Sequence, residues 1–104
     1  MKSKRSKACE IPFKVKQAVF ERDGGHCLIC GRTVPVTFSN AHYIARSHGG
    51  LGVEKNILTL CPECHERYDN SVYRQKYRSD FKKYLNEMYD DWDEKDLIYD
   101  KYQN

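Results

Sequence analysis

The sequence predicts a small α+β domain held together by a structural zinc ion and flanked by helices. Three observations predict it. Cys27-x2-Cys30 and Cys61-x2-Cys64 form two CxxC pairs, and four soft thiolates at that spacing offer zinc a tetrahedral shell, because each two-residue gap lets one turn present two sulfurs to one ion. The 30 residues between the pairs exceed the roughly 15 to 20 of a simple zinc ribbon, so further structure is built into the gap. Apolar residues at helical spacing flank this centre on both sides.

The 104 residues are 32% charged with a mean hydropathy of -0.85, which leaves room for one domain. So small and polar a chain buries too little apolar surface to dispense with a staple. Its five cysteines are an odd number, which argues against a closed disulfide framework. No apolar run resembles a signal peptide or a membrane span, so no membrane partner is expected. The expected compartment is reducing cytoplasm, where paired cysteines bind metal more often than they oxidise. A thioredoxin-like motif would explain one CxxC, but not two without a βαβ pattern. Cys9 has no partner, and His26 beside Cys27 is expected to lie at the surface.

Residues 1–10 hold Lys2, Lys4, Arg5 and Lys7 with no apolar periodicity, the pattern of a disordered basic arm. Pro12, Val15, Ala18 and Val19, followed by paired glycines, predict a helix over 12–22. "HCLICG" resembles a zinc knuckle, a tight turn whose amides face cysteine sulfur. The β-branched and aromatic run after it predicts a strand over 36–44. "ARSHGGLGVEKN" reads as a loop, "ILTL" as a second strand, and Pro62 as the first turn of a helix carrying "ECHERYDNSVY". Tyr77, Phe81, Tyr84, Leu85 and Met88 mark an amphipathic helix over 74–89. An Asp cap candidate at Asp91 opens a last short helix, with Trp92, Leu97 and Ile98 as its apolar contacts. The expected organisation is therefore an arm over 1–10, a central domain over 11–73 and a helical extension over 74–104.

"HCLICG", "AHYIARSHGG" and "KNILTLCPECH" together resemble the HNH endonucleases, the ββα-metal nucleases, over about residues 11–70. The tail resembles that of small phage and prophage HNH proteins, which implies partners in genome packaging or recombination. The resemblance implies His42, Asn56 and His65 as catalytic residues: His42 the base that activates water, His65 a ligand of a divalent cation (Mg2+, Mn2+ or Ni2+), and Asn56 a residue that orients the loop or joins the metal shell. It also implies DNA as substrate and 5′-phosphate and 3′-hydroxyl products. The chemistry is consistent, since phosphodiester hydrolysis needs a base and a cation, and a histidine with a pKa of about 6.5 suits the first task. Alone, His42 would read as a half-buried strand histidine.

One position departs from the family: the residue before the base, commonly an Asp or His ligand, is Ala41. Asp69, four residues after His65 and so on the same helix face, could supply the missing oxygen or be a salt-bridged helix acid. His48 in the glycine loop is a further candidate. Gly49 and Gly50 are expected to make a tight bend, and Tyr43 and Tyr68 to pack.

Charge is segregated. Residues 1–32 carry eight Lys/Arg against three acids, and residues 84–104 two against seven, a net +5 and -5. A basic front suits a phosphate-rich partner or a surface charged for solubility. The candidate DNA contacts are Lys2, Lys4, Arg5, Lys7, Arg46, Lys55 and Arg67. The sequence thus predicts a metal-dependent DNA endonuclease or nickase, the alternative being a non-catalytic zinc-containing DNA-binding module. A zinc deaminase is excluded, because His-x-Glu and Pro-Cys-x-x-Cys are missing.

Overall fold

The centre of the chain is a short antiparallel ladder laid against a cysteine cluster. The computed structural model describes residues 3–70 and 72–101; Lys2 of the expected arm lies outside them. Strand β1 (Ala41–His42) pairs with β2 (Ile57–Leu58) in the register Ala41 to Leu58 and His42 to Ile57. The predicted strand over 36–44 is therefore mostly not a strand, and Val36–Phe38 form a 3-10 turn instead. The reason lies on the partner side: beyond Leu58, the Thr59 carbonyl accepts the Leu28 amide of the knuckle (3.0 Å). Contact with the ladder there narrows to Leu60 N–H on the Phe38 carbonyl (3.1 Å) and a Ser39–Thr59 hydroxyl pair (2.7 Å).

Residues 4–9 correct a second expectation. They form helix α1 (Lys4–Cys9), capped by the Ser3 hydroxyl, which accepts from Ser6 N–H (3.0 Å). Six residues are too few to hold a helix in isolation, so tertiary contacts hold this one. The Cys9 side chain is buried, and the Gly52 amide donates to the Ala8 carbonyl (3.0 Å). Helix α2 (Phe13–Arg22) begins one residue after the predicted start, with Pro12 as its extended N-cap, and buries Val19.

Helix α3 (Pro62–Asn70) follows β2, and α4 (Arg74–Met88) packs on α3. Phe81 and Leu85 of α4, with Trp92 and Leu97 beyond it, share one core cluster with Ala41, Tyr43, Leu58, Leu60 and Tyr68. Tyr43 and Tyr68 are packing residues, both fully buried, and Tyr68 Oη donates to the Tyr43 carbonyl (2.9 Å). The last turn, Glu94–Leu97, is capped by Asp93 rather than Asp91, whose carboxylate pairs with Lys55 (2.8 Å), and Ile98 is exposed. Among the described residues no helix is long and apolar enough to cross a membrane.

A buried ionic hub ties α2 to this core. Arg22 grips Asp23 through two hydrogen bonds (2.8 and 3.0 Å) and donates to the Glu54 and Ile57 carbonyls (2.9 and 2.7 Å). Asp23 accepts in turn from Tyr84 Oη (2.6 Å) and Thr59 N–H (3.0 Å). Every charge is thus met, as burial requires.

Candidate active site and metal centre

The four paired cysteines converge, with their sulfurs all within 4.8 Å of one another. Cys30 and Cys61 Sγ are 3.7 Å apart, and thiolates on one tetrahedral zinc, at a zinc–sulfur distance of about 2.3 Å, sit about 3.8 Å apart. The donor set and its spacing fit a structural zinc. Gly31 N–H closes the knuckle on the Cys27 carbonyl (2.9 Å). Burial alone would raise the Cys27 thiol, but amides of Cys30, Cys61 and Ile29 face its sulfur and bring it down to about 7. That favours the thiolate a metal needs. Burial and the neighbouring Cys61 and Cys27 sulfurs push Cys64 the other way, so metal binding there must displace a proton. Cys9 and His26 lie outside the cluster.

Cys64 carries the next feature with it. His65 follows directly in α3, and one helical turn on, Asp69 Oδ2 lies 3.2 Å from His65 Nε2. Both line an open cavity of about 1040 Å3 together with His42, His48 and Asn40. Asp69 is thus a salt-bridged helix acid, one of the two readings open to it, and because ligand atoms in adjacent positions of an octahedral shell at about 2.1 Å are about 3.0 Å apart, the same His65–Asp69 pair could also reach one divalent cation. Asn40, which lines the same cavity, has a buried Oδ1 with no hydrogen-bond partner among the described residues. Arg74 neutralises Asp69 from the other side (3.5 Å) while lying over the Tyr68 ring (4.3 Å).

His42 is fixed differently. Its Nε2 is 2.9 Å from the Cys9 carbonyl oxygen. A carbonyl only accepts, so Nε2 carries the proton and the lone pair of the neutral ring is on Nδ1. Burial, opposed by the Cys9 carbonyl and reinforced by Arg46 and His65, holds the imidazole below its ordinary pKa. The ring is neutral at neutral pH.

The HNH endonuclease family model matches residues 27–81, more than half of the chain and all of this constellation except the Cys9 carbonyl. The chain belongs to the HNH endonuclease family. It is also 33% identical over 55 residues to Anaredoxin of Nostoc sp., a match covering 53% of this chain and 71% of that relative. No solved structure gives a significant match.

Within this HNH site Asn56 turns inward. It is fully buried, its Oδ1 accepts from Ile44 N–H (2.8 Å), and its Nδ2 donates to the Leu51 and Ile44 carbonyls (2.8 and 3.3 Å). Of the two roles open to it, the geometry is that of a loop clamp and not of a metal ligand. Ala41 is fully buried in the core, because strand alternation sends it away from the face that carries Asn40 and His42. The missing family ligand therefore cannot be restored from position 41. Gly49 and Gly50 bend the loop as expected: Gly49 has a φ of +82°, and Gly50 packs directly on the Ile44 carbonyl.

The candidate DNA contacts separate into two groups. Arg5 and Arg46 cross-link α1 to the loop, Arg5 donating to the Ser47 carbonyl (2.9 Å) and Arg46 to that of Ser6 (3.2 Å). Both border a second, smaller groove that shares Arg46 and Ser47 with the main cavity. Lys4 and Lys7 are exposed on the same helix. Lys55 is instead engaged with Asp91, and Arg67 lies beside Tyr77; neither lines the main cavity or the smaller groove. Lys16 and Arg74, which do line it, escaped the sequence analysis, because single cations on a helix carry no motif.

Proposed function

We propose that this protein is a metal-dependent DNA endonuclease or nickase in which His42 activates water to hydrolyse a phosphodiester bond. The observation that carries the proposal is the shared cavity, which the neutral His42 imidazole lines together with the His65–Asp69 pair. His42 Nδ1 takes the proton of water, and the imidazolium so formed keeps its hydrogen bond to the Cys9 carbonyl, which stabilises the new charge. His65 and Asp69 would hold the divalent cation, and Asn40, which lines the same cavity, could add a neutral oxygen. When bound, that cation stabilises charge on the phosphoryl group and the departing 3′-oxygen. Lys16, Arg46 and Arg74 draw the phosphate backbone into the cavity, and Asn56 keeps the loop over it in one conformation. The tail's resemblance to phage and prophage HNH proteins supports partners in packaging or recombination.

Incubation of supercoiled plasmid with wild type and His42→Ala across magnesium, manganese and nickel tests this. Wild type should nick the plasmid. His42→Ala should lose about 10²- to 10⁴-fold in rate while binding DNA nearly as well, since a base acts on the transition state. No cleavage by wild type with any of these ions would leave the non-catalytic DNA-binding module as the function.

A further inference from the structure

We propose that residues 8–11, which precede the region matched by the family, belong to the catalytic apparatus, and that Gly52 is the positioning residue that seats them against His42. The proposal rests on His42 as the base.

The Cys9 carbonyl is the group that sets the His42 tautomer (2.9 Å), so whatever places that carbonyl controls which ring nitrogen faces the cavity. Three contacts place it. Gly52 N–H donates to the Ala8 carbonyl (3.0 Å), the Cys9 side chain is buried, and Arg5 and Arg46 cross-link the start of the helix to the loop. The first is the most demanding. A Cβ at position 52 would lie 1.7 Å from the Glu10 carbonyl oxygen, 2.4 Å from its carbon and 3.0 Å from Ile11 N. These are backbone atoms with no freedom to swing aside. Gly52 does not have a positive φ, so glycine is required there by the close approach of two backbones and not by conformation.

The loop side of this contact is fixed by Asn56, whose Nδ2 donates to the Leu51 carbonyl (2.8 Å) next to Gly52, and by Leu51 N–H on the Leu97 carbonyl (2.8 Å). A connected path therefore runs from Asn56 through Leu51 and Gly52 to residues 8–10, and from the Cys9 carbonyl to His42. Asn56 acts on the base through this path without touching it.

The test is Gly52→Ala in the full chain, with the imidazole nitrogens of His42 followed by 15N NMR in zinc-loaded protein lacking DNA and catalytic cation. Wild type should show a single tautomer with Nε2 protonated. Gly52→Ala should show a mixture of both tautomers, and kcat for plasmid nicking should fall about 10- to 100-fold, the cost of a misplaced catalytic group, with KM unchanged. A folded Gly52→Ala protein that keeps the single tautomer and wild-type kcat overturns the proposal. Should Gly52→Ala fail to fold, the double variant Ser3→Ala/Arg5→Ala loosens α1 by removing its cap and its link to the Ser47 carbonyl while leaving the Gly52 backbone contact unchanged. Loss of the single tautomer there supports the proposal, and its retention overturns it. Because the NMR measurement needs no turnover, a wild type that never cleaves would refute the nuclease function while the tautomer still decides the role of Gly52.

Discussion

Asp69 lies 3.2 Å from His65 Nε2 and 3.5 Å from Arg74, so its carboxylate is the anionic donor in direct contact with the proposed histidine ligand. With one nitrogen and one carboxylate oxygen in the shell, manganese or nickel should support cleavage at lower concentration than magnesium, which prefers oxygen. Asp69→Asn should raise the metal concentration for half-maximal cleavage by about tenfold or more, the usual scale for weakening a metal shell; an unchanged metal titration would reduce Asp69 to a partner of Arg74. Ala41→Asp cannot compensate. It would bury a carboxylate among Tyr43, Leu58 and Leu60, at a cost on the order of 3 kcal/mol. At His42 the direction of the pKa shift fixes the pH dependence. Burial comes first among its causes and lowers the value from 6.5, so the acid limb of kcat/KM should fall below pH 6.5. Arg46→Ala, by removing a like charge, should move that limb upward, and a limb that stays in place would mean another group titrates. The same shift acts on stability. Between the lowered native value and 6.5 the unfolded chain binds more protons than the native one, so this contribution rises with pH across that window and is lost below it.

Helix α1 shows what an element adds that its residues do not announce. Six residues without apolar periodicity read as a disordered arm, and they do so for a physical reason: contacts to residues 47 and 52, far along the chain, stabilise the helix, and local sequence carries no trace of them. The strand predicted over 36–44 failed in the opposite sense, because β-branched residues favour extension but the knuckle had already taken the Thr59 carbonyl. Side-chain donors were legible. The two CxxC pairs and the spacing of His42 and His65 are properties of residue type, whereas the Cys9 carbonyl that orients the His42 ring is a backbone atom any residue could supply. Docking also changes the expectation for DNA. Arg5 borders the groove that continues from the main cavity, while Lys55 is held by Asp91 at 2.8 Å. Arg5→Ala should therefore reduce the slope of log K against log salt by about 0.9, one phosphate contact, and Lys55→Ala should leave it unchanged. Equal slopes for both variants and wild type would mean that α1 does not meet the DNA backbone.

At the scale of the whole molecule two staples hold one core, and they differ in kind. The cysteine cluster joins the knuckle to the start of α3 and so places His65, one residue beyond Cys64, at the cavity that His42 also lines. The Arg22–Asp23 hub joins the end of α2 to β2 and to Tyr84 of α4. Metal binding by a small domain is largely folding free energy, so a chelator should abolish the near-ultraviolet circular dichroism cooperatively, and Cys30→Ser should do the same without one. The hub should behave otherwise. Its side chains are only 8% and 0% exposed, and removing one partner of a buried pair leaves the other charge uncompensated, which costs about 3 kcal/mol or more. Asp23→Asn keeps the volume and removes the charge, so it should lower the Tm by roughly 12 to 24 °C, at about 4 to 8 °C per kcal/mol for a domain of this size. The variant should still hold one zinc per chain by elemental analysis, because no ligand is touched. A Tm within about 2 °C of wild type would show the hub to be dispensable, whereas loss of zinc alongside the drop would show the two staples to be a single cooperative unit.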